Sequence, residues 1–220
     1  KKVIVTVQIL LQKIIILIEF KMSTSLIKFI PKNSIQLIEK WINKLNIDLK
    51  FVNPRKTKLG DFRFDNINGY QITVNNDLNI FSSLITLTHE IAHAFVYNKY
   101  QNKVKPHGEE WKESYKSLML NFFNLDIFPE DILSSLAKYL INPSASTSND
   151  INLSLILRKY DLNKSLTVND VELGEKFIYS NKRFVKVKKL RKRIKCYDEK
   201  NKKFYLFNPI VKIGLINEIK

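Results

Sequence analysis

The sequence contains very little cysteine and histidine: Cys196 is its one cysteine, and the 220 residues include three histidines. A single cysteine can form neither an internal disulfide nor a cysteine-ligated zinc finger, and sparse cysteine is typical of a reducing compartment. Apolar runs near the N-terminus are short as well. The longest, residues 14–18, is far below the roughly 20 residues that span a bilayer. We therefore expect a cytoplasmic protein without disulfides or a membrane segment.

The first 21 residues form an apolar stretch that polar side chains interrupt, and the first methionine is Met22. No small-residue cleavage site follows the stretch, which argues against a secretory signal. We expect residues 1–21 to be an over-extended start, with the natural protein beginning at Met22. An extra strand and a weak amphipathic anchor are the alternatives.

Positive charge is concentrated near the C-terminus. The chain carries 37 basic and 21 acidic residues, a net charge of +16. Residues 141–220 hold a net +10, and the window 182–203 accounts for all of it, since its acids are Asp198 and Glu199 alone. Such a local excess predicts a polyanion contact, with a solvated lysine face as the alternative. The predicted nucleic-acid-binding residues are Arg183, Lys186, Lys188, Lys189, Arg191, Lys192, Arg193 and Lys195.

The hydrophobic periodicity predicts an α+β protein in two parts. Residues 22–140 are expected to form one domain, 141–150 a linker rich in Ser, Asn and Thr, and 151–220 a small basic β module. In the first part, the predicted helices span 31–45, 79–100, 108–124 and 129–140, and the predicted strands 47–52, 62–64 and 70–74. In the second part, the predicted strands span 174–180, 183–189, 191–197 and 203–207.

One helix carries a metal-binding pattern. His89-Glu90-Ile91-Ala92-His93 places two imidazoles four residues apart, on the same face of the predicted helix over 79–100. Glu90 is then positioned to touch a water molecule at the metal. The third histidine, His107, opens the next predicted helix and can complete a three-histidine catalytic zinc site with one open position. Glu109, Glu110 and Glu113 are the alternatives for the third ligand.

The two runs Leu87-Thr-His-Glu-Ile-Ala-His-Ala-Phe-Val-Tyr97 and Lys105-Pro-His-Gly-Glu-Glu-Trp-Lys112 carry a family resemblance. Together they resemble the SprT-like zinc metalloprotease family, which includes bacterial SprT-type proteins and Spartan DNA–protein crosslink proteases. The resemblance covers about residues 30–140. It implies a zincin-like metalloprotease domain, helices with a small sheet, followed here by the small basic β module. It maps one catalytic zinc ion onto His89, His93 and His107, and the general base onto Glu90.

The C-terminal module departs from many of these relatives, because their cysteine-ligated zinc ribbon cannot be built with Cys196 alone. Its Tyr197, Phe204, Tyr205 and Phe207 are candidates for stacking on unpaired bases, and a small β module also needs such aromatics for its core. The expected partners are protein substrates and DNA, with single-stranded DNA as one candidate form.

Substrate is expected to add as a strand along residues 70–75, as in other zincins. The candidate substrate-binding residues are Tyr70, Ile72, Val74 and Asn75, with Asn75 alternatively a turn former. The resulting hypothesis is a zinc peptidase acting on proteins bound or crosslinked to DNA. Its alternatives are a zinc peptidase without a nucleic-acid role and a nucleic-acid-binding protein with a structural zinc.

Overall fold

The computed structural model describes residues 25–55, 57–145 and 150–215. Contacts within the chain divide it into two compact units, Lys1–Ala145 and Ser146–Lys220. Residues 1–21, for which an over-extended start was predicted, lie outside the described residues, as do 146–149 of the predicted linker.

In the first unit, a short 3₁₀ turn, Lys32–Ser34, leads into an amphipathic helix, α1 (Ile35–Leu45). The helix buries Ile35, Ile38, Trp41, Ile42 and Leu45, which recur every three to four residues and so share one face. It ends at Asn46, which adopts the left-handed conformation (φ 50°) that asparagine tolerates at a helix C-terminus. This matches the helical pattern in the sequence.

A small sheet follows, made of β1 (Asp48–Val52), β2 (Gly60–Asp65) and β3 (Gly69–Asn75). The strand order is β1-β3-β2, with β1 parallel and β2 antiparallel to β3. β2 and β3 form a hairpin whose turn ends at Gly69, where φ is 69° and a side chain would be strained. β3 is therefore the central strand, and the predicted edge along residues 70–75 is wrong because both sides of β3 are already paired.

The long helix α2 (Ile80–Tyr100) is the centre of the first unit. Asn79 caps its N-terminus by accepting hydrogen bonds from the backbone amides of Phe81 and Ser82. Its middle is buried almost all round, which explains why the sequence there is apolar on every face. Helices α3 (Glu109–Leu120) and α4 (Glu130–Ile141) complete the unit.

The second unit contains a helix that the sequence analysis did not predict, α5 (Ile151–Arg158), capped by the Asp150 side chain at the backbone amide of Leu153. The Arg158 guanidinium donates two hydrogen bonds to the Asp170 carboxylate, at 2.9 and 2.6 Å. Partial burial raises the pKa of Asp170, but the hydrogen bonds from Arg158 and Thr167 outweigh it and lower the pKa to about 2. This ion pair ties α5 to the 3₁₀ turn Val168–Asp170.

Five strands form the sheet of the second unit: β4 (Lys176–Tyr179), β5 (Lys182–Lys189), β6 (Ile194–Asp198), β7 (Lys203–Phe207) and β8 (Gly214–Leu215). Their order over the described residues is β7-β6-β5-β4-β8, with all neighbours antiparallel. One face of the sheet packs into a small core of Val168, Val171, Phe177, Phe184, Ile194, Cys196 and Phe207.

The two units together are mixed α/β, as predicted: helices with a small sheet, then a β module. None of the helices in the described ranges combines the length and the apolar character needed to cross a bilayer.

Candidate metal centre and active-site cleft

Three imidazole rings converge at one point in the first unit. His89 and His93 lie one turn apart on α2, and His107 lies in the loop just before α3. Their Nε2 atoms are separated by 3.3 Å (His89–His93), 3.0 Å (His93–His107) and 3.3 Å (His89–His107). The structure thus brings together the three histidines that the sequence singled out.

This arrangement fits a tetrahedral metal ion. A zinc ion at about 2.0–2.1 Å from each nitrogen separates its ligands by about 3.3 Å, close to the separations of the three Nε2 atoms. Burial and, to a lesser extent, the neighbouring His93 and His107 together lower the pKa of His89 to about 3. Burial likewise lowers the pKa of His93, to about 3, and that of His107. The imidazoles are therefore neutral near pH 7, the form that binds metal.

Among the described residues, the three histidines are the only group of three or more His, Cys, Asp or Glu side chains that is placed to hold a metal ion. The alternative third ligands are not part of this group. Glu109 is exposed and pairs with Lys112 at 2.8 Å. Glu110 and Glu113 lie on α3 outside the cluster.

Trp111 supports all three rings. It is fully buried on the first turn of α3, and its ring centroid lies 4.5 Å from that of His89, 5.3 Å from His93 and 4.8 Å from His107. Its indole nitrogen donates a hydrogen bond to the backbone carbonyl of His89 at 3.4 Å. The part of the core around Trp111 therefore holds the imidazoles in place.

Glu90 lies beside the histidines and is buried. Burial, and after it the nearby Asp61 carboxylate, raise its pKa, which is about 8 once all its neighbours are included. The charges of Arg55 and Lys58 and a hydrogen bond with the Phe62 backbone oppose this shift. A pKa near neutrality suits a group that accepts and later donates a proton.

Gly60, the first residue of β2, leaves room for Glu90. A Cβ at this position would lie 2.5 Å from Oε1 and 2.8 Å from Cγ of Glu90, and 2.8 Å from Cγ2 of Thr86. Only glycine lets the strand approach α2 this closely. The sequence analysis did not identify Gly60 as part of the site.

A cleft of about 520 Å³ opens over the histidines. It is lined by Gly60, Asp61, Phe62, Arg63 and Phe64 of β2, and by the histidines, Glu90, Tyr97 and residues 101, 102 and 104–107. Among the described strands β2 pairs with β3 alone, so its other edge is free of strand partners, although the backbone of Phe62 hydrogen-bonds with Glu90. The free edge that borders the cleft belongs to β2 and not, as predicted, to residues 70–75.

The predicted substrate-binding residues of β3 lie on the central strand and make contacts within the first unit. Ile72 and Val74 are fully buried. The Tyr70 hydroxyl donates a hydrogen bond to Asn98. Asn75 is buried, accepts from Arg55 Nε at 2.9 Å and donates to the Lys58 carbonyl at 3.0 Å.

These Asn75 contacts fasten the β1–β2 loop that leads into Gly60. Asn75 therefore positions the rim of the cleft rather than lining it.

Most of the predicted basic residues of the second unit are exposed, in β5, in the turn after it and in β6: Arg183, Lys188, Lys189, Arg191, Lys192 and Arg193, with Lys195 half-buried. Lys186 is the exception. It is 6% exposed, and its ammonium group donates hydrogen bonds to the backbone carbonyls of Asn169 and Val171. Lys186 is therefore not available to a polyanion, and its inclusion in the predicted set was wrong.

The segment that contains the histidine site was compared with models of known families. The family model of the SprT-like family, which is metallopeptidase-like in general, matches residues 35–128. The match confirms the predicted resemblance over that segment, which contains the three histidines and Glu90. Searches of curated proteins and of solved structures found no match to the chain.

Proposed function

We propose that the chain is a zinc-dependent metallopeptidase that cleaves proteins associated with DNA. One observation carries the peptidase part: three neutral imidazoles and a buried glutamate meet in an open cleft beside a free strand edge. A structural zinc site would be closed by a fourth protein ligand and would have no use for the Glu90 carboxylate.

The proposal gives each residue of the site a separate role. His89, His93 and His107 would hold the zinc ion through Nε2. Bound zinc supplies Lewis acidity, which polarises the scissile carbonyl and makes the attacking water more acidic. Glu90 accepts the proton of that water and transfers it to the amide nitrogen as the peptide bond breaks. Trp111 keeps the imidazoles oriented during these steps.

The β2 edge is the natural place for substrate backbone. An extended peptide can add to a free strand edge through main-chain hydrogen bonds, which suits a peptidase that accepts varied sequences. Next to this edge, Phe62 packs parallel to the His93 ring at 6.3 Å, and Phe64 lies 4.8 Å from Tyr97. These rings make an apolar wall near the reacting bond, so we expect a preference for apolar substrate side chains there.

The basic second unit supports the DNA-associated part of the proposal. The hairpin of β5 and β6 carries positive side chains without an acid between residues 182 and 197. A surface of this kind attracts phosphate backbones. Recruitment to DNA would concentrate the peptidase on proteins held there.

The test follows cleavage of a basic DNA-binding protein by the zinc-loaded full chain, with and without single-stranded DNA. Glu90→Gln removes the proton acceptor, and Glu113→Gln, an exposed position on α3, is the matched control. We expect cleavage that requires DNA, is lost in Glu90→Gln and persists in Glu113→Gln. Cleavage that ignores DNA would overturn the recruitment part. Cleavage that survives Glu90→Gln would overturn the mechanism.

A further inference from the structure

The sheet of the second unit has a second face, which does not pack into the core. We call it the outer face and define it by the side chains of Val185, Tyr197, Phe204, Lys188, Lys195 and Leu206. The strand register places Val185, Tyr197 and Phe204 side by side in one row across β5, β6 and β7. Phe204 is 56% exposed and Leu206 is 60% exposed.

A β-bulge puts two lysines in the next row of this face. The register between β5 and β6 shifts between Lys186 and Lys188, so that Lys188 rather than Val187 lies opposite Lys195. Lys195 in turn pairs with Leu206. Without the bulge, strict alternation would turn Lys188 to the core side, where Lys186 lies.

The acidic residues closest in sequence do not neutralise this face. Asp198 is buried and accepts hydrogen bonds from the backbone amides of Lys200 and Asn201 in the β6–β7 turn. Glu199 pairs with Lys176 at 2.6 Å. The face and the β5–β6 turn beside it are therefore complementary to a polyanion.

Two rings on the face add a second kind of recognition. The centroids of Tyr197 and Phe204 are 5.2 Å apart, and the Lys195 ammonium lies 4.0 Å from the centroid of the Phe204 ring. Phosphate contacts alone need no exposed aromatic ring, whereas an unpaired base stacks on one. In a duplex the flat faces of the bases are covered by their neighbours.

We propose that the outer face binds single-stranded nucleic acid, with a base stacked on Phe204 and the adjoining phosphates contacted by Lys195 and Lys188. The inference deepens the DNA-associated part of the proposed function and rests on it, but it does not depend on the peptidase step. Of the four aromatic residues that the sequence analysis named as candidates for stacking, it assigns this role to Phe204.

Binding of a fluorescein-labelled oligothymidylate of about 15 nucleotides tests the proposal, because a stretch of this length covers one small β module. Fluorescence anisotropy of the full chain with Glu90→Gln gives the affinity without cleavage, and a duplex of equal length is the second probe. Phe204→Ala is compared with Phe204→Tyr, which keeps a ring, and with Leu173→Ala, an equally exposed apolar position outside the sheet. Lys188→Ala is compared with Lys164→Ala.

We expect Phe204→Ala to weaken single-strand binding by about 5- to 150-fold, the range for loss of one stacked base. Phe204→Tyr and Leu173→Ala should bind as the parent does, and duplex binding should change little. Lys188→Ala should reduce the salt slope by about 0.7, as for one lost phosphate contact on a single strand, and Lys164→Ala should not.

Equal single-strand affinity of Phe204→Ala and the parent would overturn the proposal. Equal losses of affinity for the single strand and the duplex would also overturn it. So would a change in the oligomeric mass of Phe204→Ala without a change in binding, which would mark the face as a protein contact. Because the Glu90→Gln background removes cleavage from the assay, failure here leaves the peptidase proposal standing. The binding result is likewise independent of which proteins the peptidase cleaves.

Discussion

Replacing Gly60 by alanine should separate the position of Glu90 from metal binding. The added Cβ would lie 2.5 Å from Oε1 of Glu90, where an ordinary contact needs about 3.5 Å, so the carboxyl group must move by roughly 1 Å. The added Cβ would also lie 2.8 Å from Cγ2 of the buried Thr86, so the strand must shift as well, at a cost in stability of about 1–3 kcal/mol. Misplacing a catalytic group by about 1 Å, however, costs on the order of 100-fold in rate.

We therefore expect Gly60→Ala to bind one zinc ion per chain and to lose about 100-fold in kcat. Zinc content and cleavage rate are measured on the same preparation. Gly69→Ala is the control: its φ of 69° makes alanine strained by about 1–2 kcal/mol, but its Cβ would meet nothing within 4 Å and should leave kcat unchanged. Full activity of Gly60→Ala, or loss of zinc, would refute the role assigned to this glycine.

Three further results are expected. Lys186→Ala should destabilise the second unit by about 2–3 kcal/mol in urea unfolding, because two buried carbonyls lose a charged donor, whereas Lys188→Ala should stay within about 0.5 kcal/mol. Asp170, whose pKa falls from 3.8 to about 2 on folding, should stabilise the second unit above about pH 4 and lose that effect toward pH 2. Allowing for solvent screening of its pair with Arg158, Asp170→Asn should cost about 1 kcal/mol at neutral pH and flatten the acid limb of the stability curve; an unchanged limb would contradict the assignment. His107→Ala should weaken zinc binding by more than about 100-fold in a chelator competition, and near-native affinity would exclude His107 as a ligand.

The metal site could be predicted because its spacing is local. A helical period places His89 and His93 on one face whatever the rest of the fold does. His107 needed only one turn between two helices to return to the same point. The four-residue spacing and the third histidine were therefore enough to predict most of the metal site.

The substrate edge could not be predicted in the same way. The Asn68-Gly69 turn indicates that β2 and β3 pair, but nothing in the alternation of β3 says on which side of the hairpin β1 will lie. In the structure β1 pairs with β3, so the unpaired edge belongs to β2. Position in a sheet depends on distant packing, which a single sequence does not record.

In the second unit, two local features could not be predicted from the alternation of apolar and polar residues. The bulge after Lys186 breaks the period of two, so alternation alone does not place Lys188 on the outer face. Lys186 can be buried because backbone carbonyls of Asn169 and Val171 accept hydrogen bonds from its ammonium group. No sequence pattern identifies such a partner. Helix α5, by contrast, had a readable signal: Asp150 caps a short apolar run.

The most direct test of the central claim compares the parent chain with Glu90→Gln for zinc content and peptide-bond cleavage together. The account predicts one zinc ion per chain in both proteins and cleavage by the parent alone, since the histidines hold the metal and Glu90 moves the proton. Cleavage by Glu90→Gln at the parent rate, or a parent chain that binds no zinc, would contradict it.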